Sequence, residues 1–191
     1  MQARILLGVL ALLYPLLVYL GLQHFPLPWV SLGLATLLLV RMAWLYTQPA
    51  NHSPLQQAMK PALLLALVCT LLSWLLNNAG ALTLIPTVIN LACLTAFVLT
   101  LRQPPSMIER FARLYETDMD ARAIAYTRRV TQVWCLFFIF NGSVALYTAL
   151  FSSLHTWTLY NGLIAYLLMG LLFAGEYLVR QRVKAQHRIP H

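Results

Sequence analysis

The sequence predicts an all-α, polytopic membrane protein with six transmembrane helices and one interfacial amphipathic helix on the cytoplasmic side. Three observations carry that expectation. Of 191 residues, 60% are hydrophobic and only 9% are charged, and the mean hydropathy of +0.71 exceeds what a soluble core requires. Six apolar stretches reach or approach the roughly 20 residues needed to cross about 30 Å of hydrocarbon. Lys and Arg fall only in alternate connections between those stretches, the asymmetry that the positive-inside rule reads as orientation.

The chain reads as one membrane domain, residues 1–191, with spans at about residues 5–22, 27–46, 62–76, 81–101, 130–151 and 157–179. The first follows Arg4. Its apolar run is longer than a signal-peptide core and no small-x-small cleavage site follows, so a retained anchor is expected. The second opens after Pro26. The third is short and borrows Pro61 and Asn77 at its ends. The fourth stops before Pro104 and Pro105, which cannot continue a helix. The fifth and sixth are joined by the short stretch "SSLHT".

Arg4 precedes the first span, and Arg41 and Lys60 bracket the second connection. Arg102, Arg110, Arg113, Arg122, Arg128 and Arg129 occupy the fourth; Arg180, Arg182, Lys184 and Arg188 lie in the basic C-terminal tail, residues 180–191. These are all 13 basic residues, while the connections around His24, Asn77 and His155 hold no charge. Both termini are therefore expected in the cytoplasm, and the net charge of +8 is an orientation signal, with no nucleic-acid partner expected. Cys69, Cys93 and Cys135 fall within spans as small apolar residues, and no disulfide framework is implied.

The loop 102–129 is the one sizeable polar segment. Ser106 and Glu109 form a capping-box pattern, so a helix is expected from Met107 to Met119 with Ile108, Phe111, Tyr115 and Met119 on its apolar face. Arg110, Arg113, Arg122, Arg128 and Arg129 are then candidates for docking to the inner leaflet or to a partner. Glu116, Asp118 and Asp120 form an acidic knot with oxygen ligands suited to magnesium. Helix N-terminal carboxylates and pairs to Arg122 explain the same residues, so no metal and no cofactor is expected. The stretch from Asp118 to Arg122 resembles the motif of CDP-alcohol phosphotransferases, but lacks its glycines and its second aspartate pair. The histidines have no metal spacing. With no phosphate loop, no G-x-S-x-G and no H-E-x-x-H, a non-enzymatic role is expected.

Two aromatic-Asn-Gly triplets, at Asn141 and Asn161, would mark hairpin turns in a soluble chain. Here they fall inside the fifth and sixth spans. Each continues as N-G-x-x-A, so Gly142 with Ala145 and Gly162 with Ala165 are expected to seam those helices into a tight antiparallel hairpin. Depth along the helices places Asn141 level with Tyr166 and Asn161 level with Tyr147, within reach of crossed hydrogen bonds, but Asn141 and Tyr147 lie some 120° apart around their helix, so the two pairs are not expected together. Two readings stay open for these amides: glue between helices, or the lining of a cavity for a polar head group. Glu176, the one acid within a span, is either an interfacial ion pair with Arg180 or a substrate contact. "YPLLVYL" and "IPTVINL" echo each other as Pro-interrupted inverted repeats do in transporters, which brings in Asn90. Asn90, Asn141, Asn161, Tyr147, Tyr166 and Glu176 are thus the candidate lipid- or substrate-binding residues.

The segments "RRVTQVWCLFFIFNGSVALYTA" and "HTWTLYNGLIAYLLMGLLFAGEYLVR" resemble a family of small proteobacterial inner-membrane proteins that accompany fatty-acid-synthase-like enzymes in aryl polyene synthesis. A more remote resemblance, through Pro105 to Arg110 and Trp134 to Ile139, is to the intracellular septation protein A family. These resemblances imply a bacterial inner-membrane location near envelope or lipid-like product synthesis. The expected function is a non-enzymatic accessory or scaffold protein whose partners are membrane lipids and cytoplasmic acyl-carrier or acyltransferase enzymes. The alternative is a small lipid or polyene-lipid transporter acting as a homodimer, since six short helices enclose little volume alone.

Overall fold

The computed structural model describes the backbone of residues 13–47, 54–114 and 119–186, and their side chains except at 54–59 and 183–186. The first part of the expected first span, with Arg4, lies outside the described residues, as do Tyr115, Glu116, Asp118 and the tail beyond Gln186. Among the described residues the regular structure is all helical, with no strand. Its elements are α1 (Tyr14–His24), α2 (Leu27–Tyr46), α3 (Pro54–Leu75), α4 (Gly80–Thr83), α5 (Ile85–Arg102), α6 (Met107–Ala112), α7 (Ala121–Phe151), α8 (Leu154–Leu159), a π-helical turn (Tyr160–Ile164) and α9 (Ala165–Gln186).

Local chemistry sets most of these boundaries. Proline opens α1, α2 and α5, where its missing N–H would have had no helical partner. Asn77 leaves α3 with φ of 48°, a left-handed conformation that asparagine tolerates better than most residues. The Asp120 carboxylate caps α7, accepting from the Ala123 N–H at 2.7 Å, and Ser153 caps α8 by accepting from Thr156 N–H at 3.2 Å. Pro86 removes the donor that the Leu82 carbonyl would otherwise receive. The Tyr14 hydroxyl supplies it instead at 2.8 Å, and the Trp157 indole N–H donates to the neighbouring Thr83 carbonyl at 2.9 Å. Two long-range bonds therefore satisfy the break between α4 and α5, as apolar surroundings demand.

Four of the described stretches are long and apolar enough to cross a membrane: Leu27–Tyr46, Gly80–Arg102, Ala121–Phe151 and Leu154–Arg182, with Lys60–Leu75 a shorter apolar helix. At most 33% of the most apolar part of each is buried in the bundle, and for the last only 6%. Leu75, Leu76, Leu136, Phe140, Leu167 and Leu171 all point outward. Such a surface suits lipid as its solvent and not water.

α5 is the central helix, packed on α3 along one side and α7 along the other. It divides its length between two apolar cores. Tyr14, Val18, Leu34, Ala66, Leu82, Ile85 and Trp157 form one, near the uncharged connections. Ala96, Phe97, Met107, Trp134, Cys135 and Phe138 form the other, near the basic residues. In the second, Phe97 meets Phe138 edge-on at 5.1 Å and Trp134 lies 4.6 Å from Phe173 of α9.

Two expectations about the connections and one about packing are corrected. α6 ends at Ala112 rather than Met119, and α7 starts at Ala121 rather than Val130. Once Asp120 caps a new helix, the preceding chain must leave its own axis. At 31 residues, α7 is about 46 Å long and extends one arginine-rich end beyond the hydrocarbon thickness of a bilayer. The six-residue α6 docks onto the bundle through the fully buried Met107, and Ile108 N–H donates to Thr131 Oγ1 at 3.3 Å. Nor do the small residues seam α7 to α9. A Cβ on Gly142 would lie 3.1 Å from Asn90 Cβ of α5, and one on Gly162 would lie 3.6 Å from Pro15 Cβ of α1.

Candidate functional site: a polar centre and a basic-end crevice

Between the two cores α5, α7 and the π turn bring together amides and phenols. Asn90 Nδ2 donates to the Pro86 carbonyl at 2.9 Å, which fixes which way its amide faces. Its Oδ1 therefore accepts from Asn141 Nδ2 at 3.0 Å, and Asn141 Oδ1 in turn accepts from the Tyr160 hydroxyl at 2.9 Å. The chain of bonds thus has one direction, set by a backbone carbonyl at its end. Asn161, next to Tyr160 and also buried, donates to the Trp157 carbonyl at 2.9 Å and to Thr148 Oγ1 at 3.3 Å. The wider π turn lets consecutive residues 160 and 161 both face inward, which a regular α-helical step of about 100° resists.

A cavity of about 120 Å³ adjoins this chain, lined among others by Tyr14, Asn90, Asn141, Asn161 and Tyr166. Four of the six candidate residues are thus brought together. Tyr147 is not: it is 61% exposed on the outer face of α7, its ring 5.4 Å from that of Phe151. The Asn161–Tyr147 pair therefore does not form, and Asn161 takes Thr148 and Trp157 instead, while Asn141 takes Asn90 and Tyr160. Tyr160 itself was missed by depth arithmetic, which compares levels along a helix and ignores how a π turn rotates its residues. Its position directly before Asn161 in the second aromatic-Asn-Gly triplet was the available signal.

Glu176 lies elsewhere, at the basic end. Because α7 is long enough to bring Tyr126 alongside α9, the Tyr126 hydroxyl lies 3.3 Å from the Glu176 carbonyl and 3.5 Å from its Oε1. Glu176 is thereby tied across from α9 to α7, and Arg180 lines the same crevice. Both residues line a crevice of about 440 Å³ between α6, α7 and α9, whose walls include Phe111, Val130, Trp134 and Phe173.

The arginines divide into two sets. Arg113 is bound to Glu109 Oε1 at 2.7 Å, and Arg110 donates to the carbonyls of Pro105 at 2.6 Å and Gln103 at 3.2 Å. Arg122, Arg128 and Arg129 are exposed along the projecting end of α7. Glu109 is itself only 4% exposed and accepts from Ser106 N–H at 3.3 Å, so its charge is satisfied by the residues that flank α6, Ser106 and Arg113. Of the acidic knot, Asp120 serves as the α7 cap, and Glu116 and Asp118 lie outside the described residues.

The fold and these sites define an all-helical protein with membrane-length helices, an uncharged polar centre and an arginine-rich end bearing an apolar crevice. Comparison with protein-family models, curated proteins and solved structures finds no match to this chain.

Proposed function

We propose that this is a non-enzymatic accessory protein of the bacterial inner membrane, serving envelope or aryl-polyene-lipid biogenesis by presenting an acyl-type amphiphile at its cytoplasmic end. The topology is six crossings with both termini inside, and α6 lies at the inner interface. One observation carries the reading: a crevice of about 440 Å³ with aromatic walls opens beside exposed arginines at the same end of the bundle. An apolar slot of this size suits part of a lipid-like molecule. Arginines near an anionic leaflet each gain about 1 kcal/mol and also suit acidic cytoplasmic acyl-carrier or acyltransferase partners.

Native mass spectrometry of the gently solubilised protein from its own host tests this. A retained amphiphile, lost when Ala123→Trp fills the crevice, supports the reading; a bare protein whose mass is indifferent to that change refutes it. Joint charge reversal of Arg122, Arg128 and Arg129 should release cytoplasmic partners. Arg110 and Arg113 are poorer choices, because both have partners within the fold.

The dimeric transporter reading keeps one favourable observation, since Asn90 and Asn141 do share a cavity. At about 120 Å³ that cavity admits a few water molecules at about 30 Å³ each. A lipid head group needs more, so the accessory reading is preferred.

A further inference from the structure

We propose that the groove between α3 and α5 is a binding site for a single phospholipid of the inner leaflet, with the lipid phosphate on Arg110 and one acyl chain lying along the two helices. The groove encloses about 490 Å³; Leu65, Ala92 and Leu99 line its apolar length, and Gln103 and Arg110 close its polar end. It is separate from the crevice between α6, α7 and α9.

Three features select a phosphate-headed lipid. The first is an unneutralised charge held in place. The Arg110 guanidinium is pinned by the Pro105 carbonyl at 2.6 Å and the Gln103 carbonyl at 3.2 Å. Carbonyls orient a cation without cancelling its charge, and the adjacent acid, Glu109, is taken by Arg113 at 2.7 Å. Of the five N–H donors on a guanidinium, two are spent, leaving a fork suited to phosphate oxygens. Because the guanidinium is already ordered, binding costs little side-chain entropy.

The second is length. From Gln103 to Leu91, both on the groove wall, twelve residues rise about 18 Å. One leaflet supplies about half of the roughly 30 Å hydrocarbon core, so a chain anchored at Arg110 ends near the far end of the groove. The third is placement. Pro61 of α3 and Gln103 beyond α5 line the same mouth, at the end where the basic residues gather and where lipid head groups lie in the proposed topology. A cytoplasmic peptide or a second copy would meet an arginine with no matching feature deeper in the groove; a phospholipid matches charge and depth together.

The experiment is native mass spectrometry of the full chain in mixed phosphatidylethanolamine and phosphatidylglycerol micelles, following the phosphatidylglycerol that survives collisional activation. Wild type should hold one equivalent. Arg110→Gln should weaken its retention by about tenfold or more, the scale of a lost charge-assisted hydrogen bond, and Ala92→Trp should abolish it by filling the groove. Arg182→Gln, at an exposed arginine outside the groove lining, should leave it unchanged. Because Arg110→Gln also removes the clamp on the Gln103 and Pro105 carbonyls, Ala92→Trp decides if that variant does not fold. Unchanged retention in Ala92→Trp, equal losses in all three variants, or a dimer that excludes the lipid would each overturn the site. The inference rests on the proposed inner-leaflet placement of this end. Cysteine labelling in intact cells tests that placement by itself, so failure of the lipid site and failure of the topology give different results.

Discussion

Gly142 shows how a single hydrogen sets the spacing of two helices. A methyl group there would sit 3.1 Å from Asn90 Cβ, closer than such atoms normally pack, and Asn90 is itself held by the Pro86 carbonyl and Asn141. Alanine is the better helix former by up to about 1 kcal/mol, yet Gly142→Ala should lower the unfolding midpoint, because α5 and α7 must part where their amides bond. Gly170→Ala is the control: no atom lies within 4 Å of its added Cβ, so it should be neutral or stabilising by up to about 1 kcal/mol. Asn141→Ala strips a partner from both Asn90 and Tyr160 and should cost about 1–2 kcal/mol. An additive double-mutant cycle between Asn90 and Asn141 would show that the bond contributes nothing. The amides themselves were legible as the uncommon polar groups of apolar spans. Their pairing was not, because α5 lies between neither of the positions that depth along α7 and α9 had compared.

At the scale of elements, start signals proved more legible than stops. S-x-x-E before Met107 marks the beginning of α6, and Pro15, Pro28 and Pro86 sit at helix openings as their missing N–H groups require. The end of α6 at Ala112 has no glycine or proline to announce it, and the apolar spacing of Ile108, Phe111, Tyr115 and Met119 extends the helical pattern past the true boundary. Asp120 decides the matter locally, since its carboxylate accepts from the Ala123 N–H at 2.7 Å. Asp120→Ala should cost about 1 kcal/mol and speed amide hydrogen exchange at Ala123 and Ile124, leaving exchange around Asn141 unchanged. Faster exchange throughout α7 would instead mean that the cap governs the whole helix. The π turn had no sequence signal either: Tyr160–Ile164 reads as ordinary helix, and only the demand that residues 160 and 161 both face the interior distinguishes it.

Across the whole molecule, composition and charge placement were enough to foresee a helical membrane protein, because lipid requires every backbone group to be satisfied within a helix and tolerates outward leucines. They also foresaw that one end would be basic, and the described arginines do gather there. Pro61 and Gln103 line one groove, and Tyr126 and Arg180 another, so antiparallel helices bring their basic ends together. Applied to that asymmetry, the positive-inside rule predicts an orientation relative to the membrane that labelling tests directly. In a chain whose native cysteines are replaced, Cys introduced at Asn78 or Ser152 should react with a membrane-impermeant maleimide in intact cells. Cys at Gln103 or Ala125 should react only after the membrane is opened. The opposite pattern would reverse the orientation and place the Arg110 groove in the outer leaflet of that membrane. Labelling of Asn78 and Ser152 from opposite sides would remove the six-crossing arrangement, because α5, α6 and α7 together would then make an odd number of crossings.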